Sequence, residues 1–131
     1  MRALACLIAA LLASPAAAQD QLTPDGFLDL AQGRTLSFSN TRTGNLVGVE
    51  EFLRRDLSVW ADEAGRCTYG RIEQRGPLLC FLYEDAPDPN NCWIPFNDAG
   101  TLLVMSQRTR EVQRISDISE VPVICEGAPS S

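Results

Sequence analysis

Short strand-like segments recur at roughly ten-residue spacing after Gly33, and this regularity constrains the fold more than any other feature. Each segment is rich in β-branched, aromatic or leucine residues and is bounded by turn-forming residues. The predicted strands cover 35–38, 46–53, 57–61, 67–73, 77–83, 92–96, 101–106 and 111–118. No linker or internal repeat divides them, so the sequence predicts one all-β domain, either an antiparallel up-and-down barrel or a small sandwich.

A closed barrel is favoured over a sandwich because closure removes the exposed sheet edges that promote aggregation. The predicted architecture is a small lipocalin-like barrel of about eight short strands, preceded by a short helix. Thr23 suits the helix N-cap, Pro24 suits the first helical position, and Gly33 supplies the stop. We therefore predict a helix over 24–32 that plugs one end or face of the sheet. Pro95 has no N–H to donate and is expected beside a gap or an edge.

The first eighteen residues, MRALACLIAALLASPAAA, have the order of a secretory signal peptide, with cleavage expected before Gln19. The apolar run, residues 3–13, is well short of the ~20 residues that span a bilayer. Cys6 precedes most of that run, which disfavours lipid modification. The chain is thus expected to comprise a signal peptide, 1–18, and a single disulfide-stapled β-barrel domain, 19–131. That domain is expected in the periplasm or outside the cell, without membrane insertion.

Four cysteines fall within residues 19–131, and an even count in a short exported chain predicts two disulfides. Zinc is the alternative ligand for four thiolates, but the spacing contains no Cys-x-x-Cys pair and the compartment is oxidising. A hairpin centred on Ala86 places Cys80 directly opposite Cys92, at bonding distance. The predicted bonds are therefore Cys80–Cys92 and Cys67–Cys125.

The preceding hairpin, if centred on Arg75, places Cys67 opposite Tyr83 and not opposite Cys80. In the strands on either side of the 84–91 loop, both faces are apolar with a period of two. One face is predicted to hold Leu78, Cys80, Leu82 and Ile94, and the other Leu79, Phe81, Tyr83 and Trp93. A sheet that is apolar on both faces needs cover on both, which is a second reason to expect the helix to pack on it.

Several kinds of chemistry are excluded by composition. The chain has no histidine and its eleven basic residues are all arginine, so imidazole-assisted nucleophiles and lysine Schiff bases are excluded. No glycine-rich phosphate loop is present. Paired carboxylates remain as a catalytic possibility, but 17 acidic residues make chance pairs unavoidable. We expect no enzymatic activity, no catalytic residues and no cofactor.

The net charge indicates which kinds of molecule the protein is expected to bind. The formal net charge is −6, and removal of Arg2 with the signal peptide leaves ten basic against 17 acidic residues, a charge of −7. An acidic domain without a basic cluster is a poor binder of nucleic acids and of anionic membranes. A basic exported protein is the kind of partner that this field attracts.

The loop from Glu84 to Asn91 is acidic and contains two prolines. It lacks the twelve-residue spacing and the glycine of an EF-hand, so no metal site is predicted there. We predict a solvated hairpin tip, with Glu84, Asp85 and Asp88 as candidate partner contacts.

Six aromatic residues in the predicted strands could line a ligand pocket, although strand aromatics more often serve in core packing. They are Trp60, Tyr69, Phe81, Tyr83, Trp93 and Phe96.

A set of short motifs follows the predicted helix in a fixed order. It consists of Gly33-Arg-Thr-Leu, Gly48-Val-Glu50, Ser58-Val-Trp60, Cys67-x-x-Gly70, Leu79-Cys-Phe-Leu-Tyr-Glu84 and Cys92-Trp93. Together with the signal peptide, this order resembles a group of short exported alphaproteobacterial proteins of unknown function. The resemblance covers most of residues 24–125 and implies a small lipocalin-like barrel, with no activity attached. Periplasmic inhibitors of lysozymes and metalloproteases are similar in size and architecture, but their inhibitory segments are not visible here.

The sequence therefore predicts a non-enzymatic exported β-barrel protein with a binding or structural role in the envelope. Two alternatives remain open. One is an inhibitor of a basic exported enzyme, such as a lysozyme or a protease. The other is a carrier of a small apolar ligand, which requires a cavity inside the barrel.

Overall fold

A computed structural model describes residues 19–125, so the predicted signal peptide and its cleavage site lie outside the described residues, as do 126–131. One helix and nine strands are assigned within this range. They are β1 (Asp20–Gln21), α1 (Pro24–Ala31), β2 (Thr35–Asn40), β3 (Leu46–Arg54), β4 (Leu57–Asp62), β5 (Cys67–Arg75), β6 (Leu78–Tyr83), β7 (Cys92–Asp98), β8 (Thr101–Ser106) and β9 (Val112–Ser119).

Strands β2 to β9 form a closed antiparallel barrel. Each strand pairs with its neighbours in the chain, and β9 pairs with β2 to complete the circle. The predicted up-and-down barrel of eight strands with a short N-terminal helix is confirmed. We call the end that carries α1 the helix end. The opposite end, formed by the loops 41–45, 63–66, 84–91 and 107–111, is the loop end.

The seam between β6 and β7 is the weakest part of the barrel wall. These strands pair at only two positions, Leu79 with Trp93 and Cys80 with Cys92. Beyond them β7 pairs instead with the added strand β1, and the Leu22 N–H donates to the Pro95 carbonyl at 3.0 Å. The N and C=O of a strand residue point to the same edge of the strand. The Pro95 nitrogen therefore faces the gap between β6 and β7, as expected. The sequence did not predict β1, which is only two residues long.

Helix α1 plugs the helix end, as predicted, and ends at Ala31. The Thr23 hydroxyl accepts a hydrogen bond from the Gly26 N–H at 3.0 Å, which caps the first turn. Phe27, Leu28 and Ala31 are buried, and the Phe27 ring packs edge-on against Phe52 at 5.8 Å between centroids. Within the described part of the chain, no helix is long and apolar enough to cross a membrane.

Alternate residues of each strand point their side chains into the barrel. Ladder partners point the same way, so the direct pairs Glu50–Trp60, Gly70–Tyr83 and Leu79–Trp93 all face inward. The buried core contains Phe27, Leu28, Ala31, Leu36, Phe38, Phe52, Ile72, Leu79, Phe81, Val104 and Ile115. The two predicted faces of β6 and β7 are both confirmed by this register.

Both predicted disulfides are present. Cys80 and Cys92 are directly opposed in the β6–β7 ladder, with 4.0 Å between their Cα atoms. Cys67 joins Cys125, with 5.5 Å between Cα atoms, and ties the segment after β9 to the start of β5. Two disulfides indicate an oxidising, non-cytoplasmic compartment.

The predicted register of the β5–β6 hairpin is wrong. Tyr83 lies opposite Gly70, not opposite Cys67, because Arg75 pairs with Leu78 around a two-residue turn. Gly76 takes a φ of 57° in that turn, a conformation that glycine adopts without strain. The centre of the hairpin is therefore past Arg75, and Glu73 is the residue opposite Cys80.

Candidate functional site

A cavity of about 200 Å³ lies inside the barrel. It is lined mainly by rings, from Phe27 at the helix end to the half-buried Trp93 nearer the loop end. The lining residues are Phe27, Phe38, Glu50, Trp60, Leu79, Phe81, Tyr83, Asn91, Trp93, Val104 and Gln113. Six are aromatic and one is a carboxylate, so the interior is an apolar pocket with one ionisable acid at its wall.

Glu50 is the polar centre of this cavity. It is 3% exposed, and one carboxylate oxygen, Oε1, accepts hydrogen bonds from the Ser58 hydroxyl at 2.7 Å and from the Tyr83 phenol at 2.8 Å. No hydrogen bond from the described residues reaches Oε2. Every fully buried side-chain oxygen among those residues has a hydrogen-bond partner, so Oε2 is not fully buried. Oε2 therefore retains contact with the cavity and is available to a ligand.

Two glycines make room for the large rings of the site. An added Cβ at Gly70 would lie 2.7 Å from two ring carbons of Tyr83, and one at Gly48 would collide with the Trp60 indole. Mid-strand glycine commonly marks such a close approach. The Tyr83 ring lies over Gly70, and this position lets its hydroxyl reach from β6 to Glu50 on β3.

The protonation of Glu50 is set by two opposing effects. Burial raises the pKa of Glu50 to about 7, although the hydrogen bonds from Ser58 and Tyr83 lower it. Desolvation, and then the nearby Glu50 charge, raise the pKa of the Tyr83 phenol, so Tyr83 stays protonated as a donor. Near neutral pH the Glu50 carboxyl group is therefore present in both its neutral and its charged form.

Asn91 fixes the rim of the cavity where the 84–91 loop enters β7. Its side-chain oxygen accepts from the Trp93 indole N–H at 2.9 Å, and its Nδ2 donates to the Phe81 carbonyl at 3.1 Å. The Cys80–Cys92 bond lies next to Trp93 on the outer face of the same strands. The cross-linked hairpin therefore holds the Trp93 ring in the cavity wall.

The acidic tip of the 84–91 loop is outside the cavity. Glu84 and Asp85 are exposed, and half-buried Asp88 faces Arg108 with 3.8 Å between the charged atoms. The structure places these three candidate contact residues at the loop end of the barrel. Their role in partner binding stays a prediction.

The aromatic residues considered as pocket residues divide into two groups. Trp60, Phe81, Tyr83 and Trp93 line the cavity. Tyr69, in contrast, is 49% exposed, and Phe96 pairs with Gln21 and Leu103 outside the lining.

Sequence reasoning did not single out Glu50. The only available signal was its place in β3, where it alternates with Gly48 and Phe52 on the inward face. An acid at a core position of a strand is unusual because an unpaired buried charge is costly. The acid at this inward-facing position is the feature of the sequence that could have indicated the site.

The cavity does not bring two carboxylates together, since Glu50 is the one acid in its lining. Among the residues from 19 to 125, no group of three metal-ligating side chains is clustered. The fold and the cavity define a small disulfide-bonded barrel in which Glu50 is the one buried acid among residues 19–125. Comparison of the chain with protein-family models, with curated proteins and with solved structures gives no match.

Proposed function

We propose that this protein is an exported, non-enzymatic barrel that binds a small, largely apolar ligand in its interior. The aromatic cavity around Glu50 is the observation that supports this proposal. Export is supported by the two disulfides, which suit an oxidising compartment, and by the signal-peptide pattern of the sequence.

The size of the cavity limits the ligand. Pockets for drug-sized ligands have volumes of about 300–1,000 Å³, whereas an apolar cavity of about 150 Å³ accepts benzene. At about 200 Å³, this cavity suits one ring with a short substituent and excludes long lipids. The proposed ligand is therefore a small molecule of about ten non-hydrogen atoms, by comparison with benzene.

The two tryptophans of the chain both line the cavity, which makes binding simple to follow. Their indole N–H signals in an NMR spectrum report on the cavity from two sides. Titration of the disulfide-bonded protein with small aromatic compounds should shift both signals saturably. Val104→Phe, which fills the cavity from β8, should abolish the shifts, and Tyr69→Phe on the exposed surface should not.

The proposal fails if no small aromatic compound, whether cationic, neutral or anionic, shows saturable binding that Val104→Phe removes. Circular dichroism of the Val104→Phe variant checks that the barrel is intact. Retention of binding in a folded Val104→Phe variant would place the ligand elsewhere on the surface.

A second candidate function, inhibition of a basic exported enzyme such as a lysozyme, is favoured by the exposed acids Glu84 and Asp85 at the loop end. A negatively charged tip suits electrostatic attraction of a basic partner. Lysozyme assays with micromolar protein test this candidate. It requires inhibition that decreases with added salt and is lost in the double variant Glu84→Gln, Asp85→Asn.

A further inference from the structure

Glu50 is a buried acid without a positively charged partner. The ion pairs formed by the described residues do not include it, and its contacts are the neutral hydroxyls of Ser58 and Tyr83. The chain has no lysine or histidine to supply a cation. Every described arginine is exposed except Arg55, which is half-buried and bound to Asp25 and Asp29 at the helix end.

Because the protein provides no cation for this carboxylate, a ligand that carries one would complete the site. We infer that the cavity binds a small protonated amine with an aromatic or compact apolar body, with the ammonium group at Oε2 of Glu50. This inference rests on the proposed function, because it names the class of ligand for the same cavity.

The rings around Glu50 suit a cation as well as an apolar body. Trp60 is the direct ladder partner of Glu50, and Tyr83 touches the carboxylate through its hydroxyl. Ring faces attract ammonium groups, most strongly in tryptophan and most effectively where water is excluded. The Phe81 and Tyr83 rings are stacked at 6.1 Å, with 13° between their planes, and offer an apolar wall to the body of the ligand.

Other ligand classes fit the site less well. An anion would face the Glu50 carboxylate and the net charge of −6. A neutral, purely apolar molecule that filled the cavity would leave Oε2 without a hydrogen-bond partner, which is costly. A neutral hydrogen-bonding molecule is the remaining competitor, and pH distinguishes it from an amine.

Amine binding should strengthen as the pH rises, because the ammonium group favours the charged form of Glu50. The cavity lining contains one other titratable group, Tyr83, whose raised pKa keeps it protonated throughout the relevant range. Ser58 and Trp60 on β4 carry no charge at any pH. The pH dependence of binding between pH 5 and pH 8 therefore reports on Glu50.

The test uses three compounds that share a phenyl ring and a short chain: phenethylamine, 2-phenylethanol and phenylacetate. Isothermal titration at pH 8 on the disulfide-bonded protein should give phenethylamine an affinity at least about tenfold above that of 2-phenylethanol, and no binding of phenylacetate. The phenethylamine affinity should fall at least about tenfold between pH 8 and pH 5.

Glu50→Gln keeps the shape of the side chain and removes its charge. It should lower the phenethylamine affinity at least about tenfold and remove the pH dependence, so that phenethylamine no longer binds more tightly than 2-phenylethanol. Glu51→Gln is the matched control. It removes the same charge from the neighbouring position, where the side chain accepts a bond from the Val123 N–H outside the barrel, and should leave phenethylamine binding unchanged.

The possible results separate the two proposals. If 2-phenylethanol binds as tightly as phenethylamine, or if Glu50→Gln leaves amine binding intact, the amine inference is wrong while the ligand-binding function stands. If none of the three compounds binds, both fail. The three wild-type titrations decide this even if the Glu50→Gln variant does not fold.

Discussion

Gly70 lies directly opposite Tyr83 in the β5–β6 ladder, and the Tyr83 ring occupies the space that a side chain at position 70 would need. A Cβ there would lie 2.7 Å from Cδ1 and Cε1 of Tyr83, closer than such atoms approach in folded proteins. The Tyr83 phenol reaches Glu50 from this position. A glycine that ordinarily weakens a strand thus positions the hydrogen bond at the centre of the cavity.

Gly70→Ala should therefore displace the Tyr83 ring and break its hydrogen bond to Glu50. Overpacking of this kind costs about 1–3 kcal/mol in the free energy of unfolding. Urea denaturation followed by tryptophan fluorescence measures the loss. The same substitution in a Tyr83→Ala background is the control, because the ring that causes the clash is absent there.

In that background Gly70→Ala should cost little, so the two substitutions should be non-additive by about 1 kcal/mol or more. Equal costs in the two backgrounds would mean that Gly70 is needed for its backbone alone and does not position the ring.

Glu50→Gln should change the pH dependence of stability. The pKa of Glu50 is raised from 4.5 to about 7 on folding, so the folded state binds the proton more tightly than the unfolded state does. Wild-type stability should therefore fall as the pH rises from about 4.5 to about 7, by up to about 3 kcal/mol from this group. Glutamine has no proton to lose and should remove that fall.

Thermal unfolding from pH 4 to pH 8 provides the measurement. The variant should be more stable than the wild type at pH 8 and similar to it at pH 4.5. Parallel pH profiles for the two proteins would contradict the raised pKa. Glu51→Gln again serves as a control, since that carboxylate lies outside the barrel.

The barrel could be predicted from the sequence because its signal is local and repeated. Each strand, from 35–38 to 111–118, has its own strand-forming residues and is bounded by its own turn residues. The Cys80–Cys92 bond followed from the same source, since both cysteines lie in one hairpin. The two-residue strand β1 is too short to carry a pattern, and the β5–β6 register depended on the backbone conformation of Gly76.

The site, in contrast, depends on contacts that no local pattern records. Tyr83 and Glu50 are 33 residues apart, on strands that β4 and β5 separate in the sheet. Their hydrogen bond exists because the barrel curves and because Gly70 leaves room for the ring. Four of the six aromatic residues that line the cavity could be listed from the sequence, but Phe27, Phe38 and the acid at the polar centre could not be assigned to it.

The two disulfides should stabilise different parts of the molecule. Cys67–Cys125 closes a loop of 58 residues and Cys80–Cys92 one of 12, which correspond to about 4 and about 3 kcal/mol of loop entropy. The segment after β9 is poorly packed, with Val121 64% and Ile124 85% exposed. Without Cys67–Cys125 this segment should detach while the barrel persists.

Amide hydrogen exchange at Val123 measures this detachment, because its N–H donates to Oε2 of Glu51 at 2.9 Å. The pair Cys67→Ser, Cys125→Ser should abolish protection of that amide. The pair Cys80→Ser, Cys92→Ser should lower global stability but leave Val123 protected under native conditions. Peptide mapping that joined Cys67 to Cys80 would contradict the whole assignment.

Helix α1 should be held in the barrel by apolar packing and not by its ion pairs. Phe27 is 1% exposed and packs against Phe52, so Phe27→Ala should cost about 3–5 kcal/mol and enlarge the cavity at the helix end. Arg55 bridges to Asp25 and Asp29 at 2.8 and 2.7 Å, but both acids are exposed. Because exposed ion pairs contribute little, Arg55→Gln should leave the denaturation midpoint almost unchanged. Equal destabilisation by the two substitutions would show instead that the Arg55 bridge fixes the plug.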